Sequence, residues 1–216
     1  MFLTDDTVDK EARFMCASKR LSTEERKQEI MASASRFIIE KGFSNTTMED
    51  VIAGTSMSKG GVYHYYKSTV EILRDLMLEG IEYRNNIIHD HISECSSGCE
   101  IEFMAKQMVD KVIDDHEYMP IYVEFLIEKK RNIELQKLFE ELKMQTLKRF
   151  KEIMKDMPDY FFNKSTFDLV TDFLNAMILA SDVLDARDNF RKNRRTIENM
   201  MVLLFRSSLE VKDEGL

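Results

Sequence analysis

Residues 46–67 read TTMEDVIAGTSMSKGGVYHYYK, and their chemistry suits a surface that meets a polyanion. Lys59 and Lys67 supply cations. Thr46, Thr47, Ser58, Tyr63 and His64 supply hydrogen-bonding groups, and Gly60 and Gly61 strip side chains from the ground between them. An ammonium answers a phosphate, whereas phenol and imidazole reach phosphate oxygens or base edges. A backbone reduced to glycine can lie close to either. Part of the cluster has a second use, because Val62 and one or two of Tyr63, Tyr65 and Tyr66 are expected in the core of a small helical unit.

Local signals place these residues on helices. Thr46-Thr47-Met48-Glu49 fits a capping box, with Thr46 as N-cap and Glu49 at the third helical position. A short helix follows, with Met48, Val51 and Ile52 on one side. Gly54-Thr55-Ser56 ends it in a turn. Ser58 caps the next helix through its hydroxyl. Two glycines in the first turn of that helix weaken it by about 1 kcal/mol each relative to alanine. Ser68-Thr69-Val70-Glu71 is a further capping box, and Lys67 stands just ahead of it, where its ammonium and the helix N-terminus can both meet phosphate.

This ordered pattern resembles the TetR family of bacterial one-component regulators. The resemblance rests on Glu40 to Phe43, Thr46-Thr47, Glu49 to Ile52, and Ser58-Lys59-Gly60 through Val62 to Ser68, and it is strong over residues 23–75. It implies an all-α fold: a three-helix DNA-binding domain with a helix-turn-helix, plus a larger helical domain for effector binding and dimerisation. The third helix would enter the major groove of double-stranded operator DNA. Two positions depart from the pattern. Ser56 stands where the family usually has glycine, so a left-handed backbone there would be strained. Thr69 stands where members often carry lysine.

The rest of the chain reads as helices in series. Residues 1–21 form an N-terminal extension ending near Lys19 and Arg20, which suit a loose tail or an arm reaching the minor groove. Residues 22–68 form the DNA-binding domain and residues 69–216 the effector and dimerisation domain. Ser22-x-x-Glu25 caps a first helix carrying Ile30, Ala34, Phe37 and Ile38, and Gly42 stops it. A long helix from Thr69 to about Ile92 would link effector to DNA. Ser93 to Gly98 is a break, followed by a helix with Ile101, Met104, Met108, Val112 and Ile113. Pro120 suits the first turn of the next, which ends near Lys129-Lys130-Arg131. Ile133 to Met157 is periodic, and Pro158 ends it. Ser165–Leu184 and Thr196–Leu209 are apolar over much of their circumference, so each must be buried on more than one side. In the family arrangement they pair with their copies in a homodimer.

Composition bounds the alternatives. The 216 residues include 2 prolines and 7 glycines, which favours long helices over a turn-rich sheet fold. No apolar run reaches membrane-spanning length, the N-terminus lacks a signal-peptide layout, and 3 cysteines argue against a disulfide scaffold. A cytoplasmic protein is expected, without membrane contact. The net charge of −8 divides unevenly: residues 19–69 hold 8 bases and 6 acids, whereas residues 81–216 hold 20 bases and 26 acids. The acidic bulk would turn away from nucleic acid and orient docking.

The input signal is expected in the middle of the chain, which is rich in Met and Phe. Met adapts to varied shapes, which suits a pocket for a small hydrophobic effector. Arg84, Phe103, Met104, Gln107, Met108, Tyr122, Phe125, Phe139, Phe173 and Met177 are the candidate lining, with Tyr83, His116 and Tyr118 as further polar anchors. A competing input is metal or redox chemistry at His91, Cys95 and Cys99, although their spacing matches no common zinc pattern. No enzyme is expected, since the chain lacks a phosphate-cradling glycine loop, a nucleophile elbow and an HExxH pair, and no cofactor is expected. The reading is a ligand-responsive repressor that binds a palindromic operator as a dimer. Its alternatives are a metal- or redox-sensing regulator, or a helical ligand-binding protein that does not engage DNA.

Overall fold

Helix starts in this chain are set by hydroxyls and amides that satisfy the first free N–H groups. A computed structural model describes residues 21–154 and 162–210. Among them are ten α-helices and no strand. Helix α1 spans Thr23–Lys41, and Ser22 and Glu25 form the expected reciprocal capping box. Gly42 ends it at φ 83°, a conformation glycine adopts without strain. Helices α2 (Met48–Ala53) and α3 (Lys59–Tyr65) follow, then α4 (Thr69–His91), whose N-cap is Ser68.

The remaining helices are α5 (Glu100–Ile113), α6 (Tyr118–Glu128), α7 (Ile133–Ile153), α8 (Lys164–Val183), α9 (Arg187–Lys192) and α10 (Arg194–Glu210). Pro120 sits in the first turn of α6, as expected. Asn132 and Asn163 cap α7 and α8 through their side-chain oxygens. Helix α9 is an addition to the sequence expectation. Its residues RDNFRK hold no buried side chain, so no apolar period announces it. Lys19 and Arg20, with the rest of residues 1–20, and Met157 and Pro158 lie outside the described residues.

Two details of the expected caps are corrected. The N-cap of α2 is Thr47, not Thr46, and its partner is Asp50, not Glu49. Thr47 Oγ1 accepts from the Asp50 N–H at 3.2 Å, and Asp50 Oδ2 accepts from the Thr47 N–H at 2.8 Å. The sequence offers both boxes one residue apart, and packing selects between them. Thr46 is buried with its hydroxyl donating to Gly42 O at 2.9 Å, and Met48 turns into the core. At α4 the box is half made: Ser68 accepts from the Glu71 N–H, but the Glu71 carboxylate accepts from the Lys67 N–H instead.

Packing sets the two helical units against each other. Helix α1 lies against α2, α4 and α6, and α4 lies along α7. One apolar core joins Ile30, Ile38, Val51 and Val62 to Ile72, Leu73, Phe125 and Leu135, all at most 2% exposed. It therefore crosses residue 69. A second core, around Val109, Ile178 and Met201, joins α5, α8 and α10. Among the described residues no helix is long and apolar enough to cross a membrane.

Gly54 fixes the approach of α2 to α1. A β-carbon built there would lie 2.1 Å from Ser33 Oγ, the hydroxyl that donates to Val51 O at 2.9 Å. Gly54→Ala is therefore expected to destabilise the fold by about 1–3 kcal/mol, as overpacking does in a close-packed site. Denaturant unfolding measures it, and an unchanged midpoint would show that the helices separate at no cost.

Candidate nucleic-acid interface and effector cavity

Helix α3 presents its polar start to solvent. Ser58 caps it, its hydroxyl accepting from the Gly61 N–H at 3.2 Å. Ser58, Lys59, Gly60, His64 and Lys67 are exposed, and Tyr63 is half-buried. A β-carbon on Gly60 would meet nothing within 4 Å, so the glycine keeps open space in front of the helix. Val62 and Tyr66, at 0% and 2% exposed, hold α3 to the core. Tyr66 Oη donates to Asp75 Oδ2 at 2.8 Å, and that carboxylate also pairs with Lys27 at 3.0 Å. Burial and the adjacent Asp75 charge push the Tyr66 phenol up, keeping it protonated as a donor.

The cations near α3 are held only by exposed groups. Lys59 Nζ pairs with Glu49 at 3.1 Å, both side chains being about two-thirds exposed. Such a pair is worth little in water, so the ammonium can exchange its partner for a phosphate at small cost. Lys67 donates to Tyr63 O. Thr47 is exposed at the α2 cap, whereas the buried Thr46 is withdrawn from the surface expected for it. Ser56 makes the inter-helix turn without a left-handed backbone, since Asp185 is the sole non-glycine residue with positive φ among those described. Its N–H donates to Glu29, and its hydroxyl accepts from Arg26 at 3.2 Å. These bonds draw the Glu29 carboxyl below its usual range.

The middle of the molecule encloses a cavity of about 210 Å³ between α4, α5, α6, α7 and α8. Of the expected lining, Arg84, Met104, Gln107, Met108, Tyr122, Phe125 and Phe139 face it, together with Tyr83, His116 and Tyr118. Phe103, Phe173 and Met177 do not line it. They pack in and around the second core instead. Phe103 precedes the lining residue Met104 by one position, about 100° around the helix, which turns it to another face. Sequence reasoning passed over Asn85, Lys111, Thr166 and Asn175, which line the cavity. The spacing 104, 107, 108, 111 places Lys111 on the same face as Met104, Gln107 and Met108, and that was the available signal.

The walls are mostly apolar, and the polar groups on them are few and specific. Tyr122 Oη donates to Asn175 Oδ1 at 2.7 Å, and burial pushes the phenol up. Tyr83, His116 and Tyr118 stack at one side, with ring centroids 4.0 Å apart for Tyr83–His116 and 5.0 Å for His116–Tyr118. Among the described residues no group of three or more His, Cys, Asp or Glu is placed to hold a metal. His91 Nδ1 is engaged with Ile87 O at 2.8 Å, Cys95 is half-buried with its thiol pushed up by burial, and Cys99 is exposed. The metal alternative thus has no assembled ligand set among these residues.

Residues 30–76 match the family profile described as bacterial regulatory proteins, tetR family. These residues thus carry a TetR-family helix-turn-helix domain. The family is non-enzymatic. The chain is 26% identical over 133 residues to the uncharacterized HTH-type transcriptional regulator YfiR of Bacillus subtilis strain 168. That alignment takes in 61% of this chain and spans 65% of the relative's length. Among solved structures, Salmonella enterica GusR superposes with a TM-score of 0.69 at 18% identity, covering 88% of this chain and 100% of that one. The fatty acid degradation regulator FadR from Bacillus halodurans superposes with a TM-score of 0.65 at 14% identity, covering 85% and 97%. At these identities the likeness is one of fold.

Two sets of hydrogen bonds join the cavity walls to α1 and the chain that follows it. Helix α6 lends Tyr122 and Phe125 to the cavity, and Glu124 and Glu128 of the same helix hold the chain after α1. Glu124 Oε1 accepts from the Phe43 N–H at 2.7 Å, and Glu128 accepts from the Ser44 hydroxyl. Tyr118 Oη donates to Glu79 on α4 at 3.2 Å, and Glu79 also accepts from Gln28 on α1.

The open space at Gly60 separates stability from recognition. Gly60→Ala is expected to leave the fold intact or raise its stability by up to about 1 kcal/mol, since alanine favours helix. The same change is expected to weaken duplex DNA binding by crowding the approach. Melting curves and gel-shift titrations read the two effects, and undiminished DNA affinity would show that nothing comes close to this turn.

Proposed function

We propose that this regulator is a cytoplasmic repressor that binds a roughly palindromic operator as a homodimer and is released by a small organic effector lodged in the central cavity. The exposed start of α3 carries this reading: Ser58, Lys59, Gly60 and His64 lie bare on a helix whose other side is anchored by Val62. Thr47, Gly61, Tyr63 and Lys67 complete the contact set. Helix α3 enters the major groove, lysines take phosphates, and Tyr63 and His64 take phosphates or base edges.

Dimerisation is supported by apolar residues left bare on α8 and α10. Leu169, Val183, Leu184, Met200 and Leu203 are 49–73% exposed. They are large side chains on two helices that pack together, an arrangement that suits a four-helix interface between copies. Two-fold symmetry then requires half-sites about one turn apart, ~34 Å. The effector acts by differential affinity. Filling the cavity displaces α6 and α4, which hold the DNA-binding helices through Glu124, Glu128 and Glu79.

Selection from a random-sequence duplex pool is expected to enrich an inverted repeat. Affinity for it should fall steeply between ~50 and ~200 mM salt, with a shallower slope in Lys59→Ala and Lys67→Ala. A salt-independent affinity, unchanged in both variants, would remove DNA binding from this surface. Leu203→Glu is expected to convert a dimer to a monomer in light scattering and to lower operator affinity. A dimer that survives both this change and Leu184→Glu would place the interface elsewhere.

A further inference from the structure

The polar groups on the cavity wall do not suit a purely hydrophobic occupant. Arg84 and Lys111 both line it, and they meet at one turn of α5. The Arg84 guanidinium donates to Gln107 O, the carbonyl one helical turn before Lys111. Among the described residues no carboxylate forms an ion pair with either cation, and the aromatic contact of Lys111 is the Tyr122 ring, 5.2 Å from its ammonium. Two amides beside them are incompletely paired. Asn85 Nδ2 and Gln107 Oε1 are buried without a hydrogen-bond partner. Native interiors leave few such groups unpaired, and the free Asn85 N–H on a cavity wall marks a place where a ligand oxygen supplies the partner; the Gln107 oxygen needs a donor, which an ionised carboxylate lacks.

The charges facing the cavity from every side determine the sign and size of what fits. Helix α4 contributes Arg84 and the Tyr83 phenol. Helix α5 contributes Lys111, with Asp114 and His116 just beyond its end, and α6 contributes the Tyr118 and Tyr122 phenols. Lys143 from α7 is already neutralised by Glu140 at 3.1 Å and Asp168 at 3.2 Å. Asp110, the other carboxylate near Arg84, is taken by Arg194 at 2.6 Å. Helix α8 contributes uncharged Thr166, Thr171 and Asn175. Setting Arg84 and Lys111 against Asp114 leaves one positive charge in excess.

We propose that the cavity takes a monoanionic amphiphile, an organic carboxylate on an apolar body, with the carboxylate between Arg84 and Lys111 and hydrogen-bonded to Asn85. This assignment deepens the effector reading given above and rests on it. The apolar body lies against Met104, Met108, Phe125 and Leu174. A dianion would exceed the local charge excess, and a neutral molecule would leave the cations unanswered. Burial, with Arg84 nearby, pushes Lys111 down to about 8, so an arriving anion re-favours its charged form.

Decanoate, 1-decanol and decyl phosphate are the probes, titrated calorimetrically into the full-length protein and then into its complex with the selected operator duplex. Decanoate is expected to bind at least about tenfold more tightly than the alcohol, the value of one charge-assisted hydrogen-bonded contact. Lys111→Met and Arg84→Met should each erase that preference, bringing decanoate and decanol to similar affinities. Lys111→Met should also raise the melting temperature of the ligand-free protein, because it removes a desolvated charge. Decanoate affinity should fall as pH rises from about 7 to about 9.5, because Lys111 loses its proton above its depressed pKa, and decanol affinity should not. Equal binding of alcohol and carboxylate, tighter binding of the phosphate, or binding of no probe would overturn the proposal. Operator release by decanol would in that case preserve the effector role of the cavity. Carboxylate-selective binding with unaltered operator affinity would sustain the anion site and overturn the effector role instead.

Discussion

The fold depends on one shared apolar core. Ile30 and Ile38 from α1, Ile72 and Leu73 from α4 and Phe125 from α6 are sealed together at 0–2% exposure, and Phe125 also forms part of the cavity wall. A close-packed interior transmits displacement because it has no slack to absorb it. A side chain that belongs to both sites cannot move for one without disturbing the other. The carboxylates of Glu124, Glu128 and Glu79 reinforce this core at its edge, where polar bonds give direction to what packing alone leaves isotropic.

The cavity shows a second constraint, between stability and selectivity. A closed apolar void would be simple to build, yet this one contains two cations outside any ion pair among the described residues and two incompletely paired amides. Each is costly to bury without a partner. Their persistence within a wall of Met, Phe and Leu is the opposite of what packing favours. They sit on α4 and on two successive turns of α5, which face each other through the Arg84 bond to Gln107 O.

Much of this was legible from residue types and spacing, and the exceptions have physical causes. Ser22, Ser58 and Ser68 mark helix starts because their hydroxyls satisfy N–H groups nearby in sequence, and such local bonds survive into the fold. Thr46 and Thr47 present equivalent local chemistry, so only the burial of Thr46 and Met48 discriminates between them. The strain expected at Ser56 is absent because Arg26 and Glu29, distant in sequence, hold the turn in an ordinary conformation. The candidate cavity was legible as a region and as a set of polar anchors. Its lining was not fully legible, since Phe103 and Met104 differ in orientation and not in character. Lys111 reads as a solvated charge until the helices around it are assembled.

Helix α3 has one further consequence. It is seven residues long, contains two glycines, and buries Val62 alone. A segment that short does not hold a helical shape by itself in water. Its geometry is therefore on loan from α1, α2 and the start of α4, whose own core extends to Phe125 and Leu135. The surface proposed to read DNA is thus a cooperative property of the folded chain: cut away from the helices behind it, residues 22–68 would retain the letters of the motif and lose its shape.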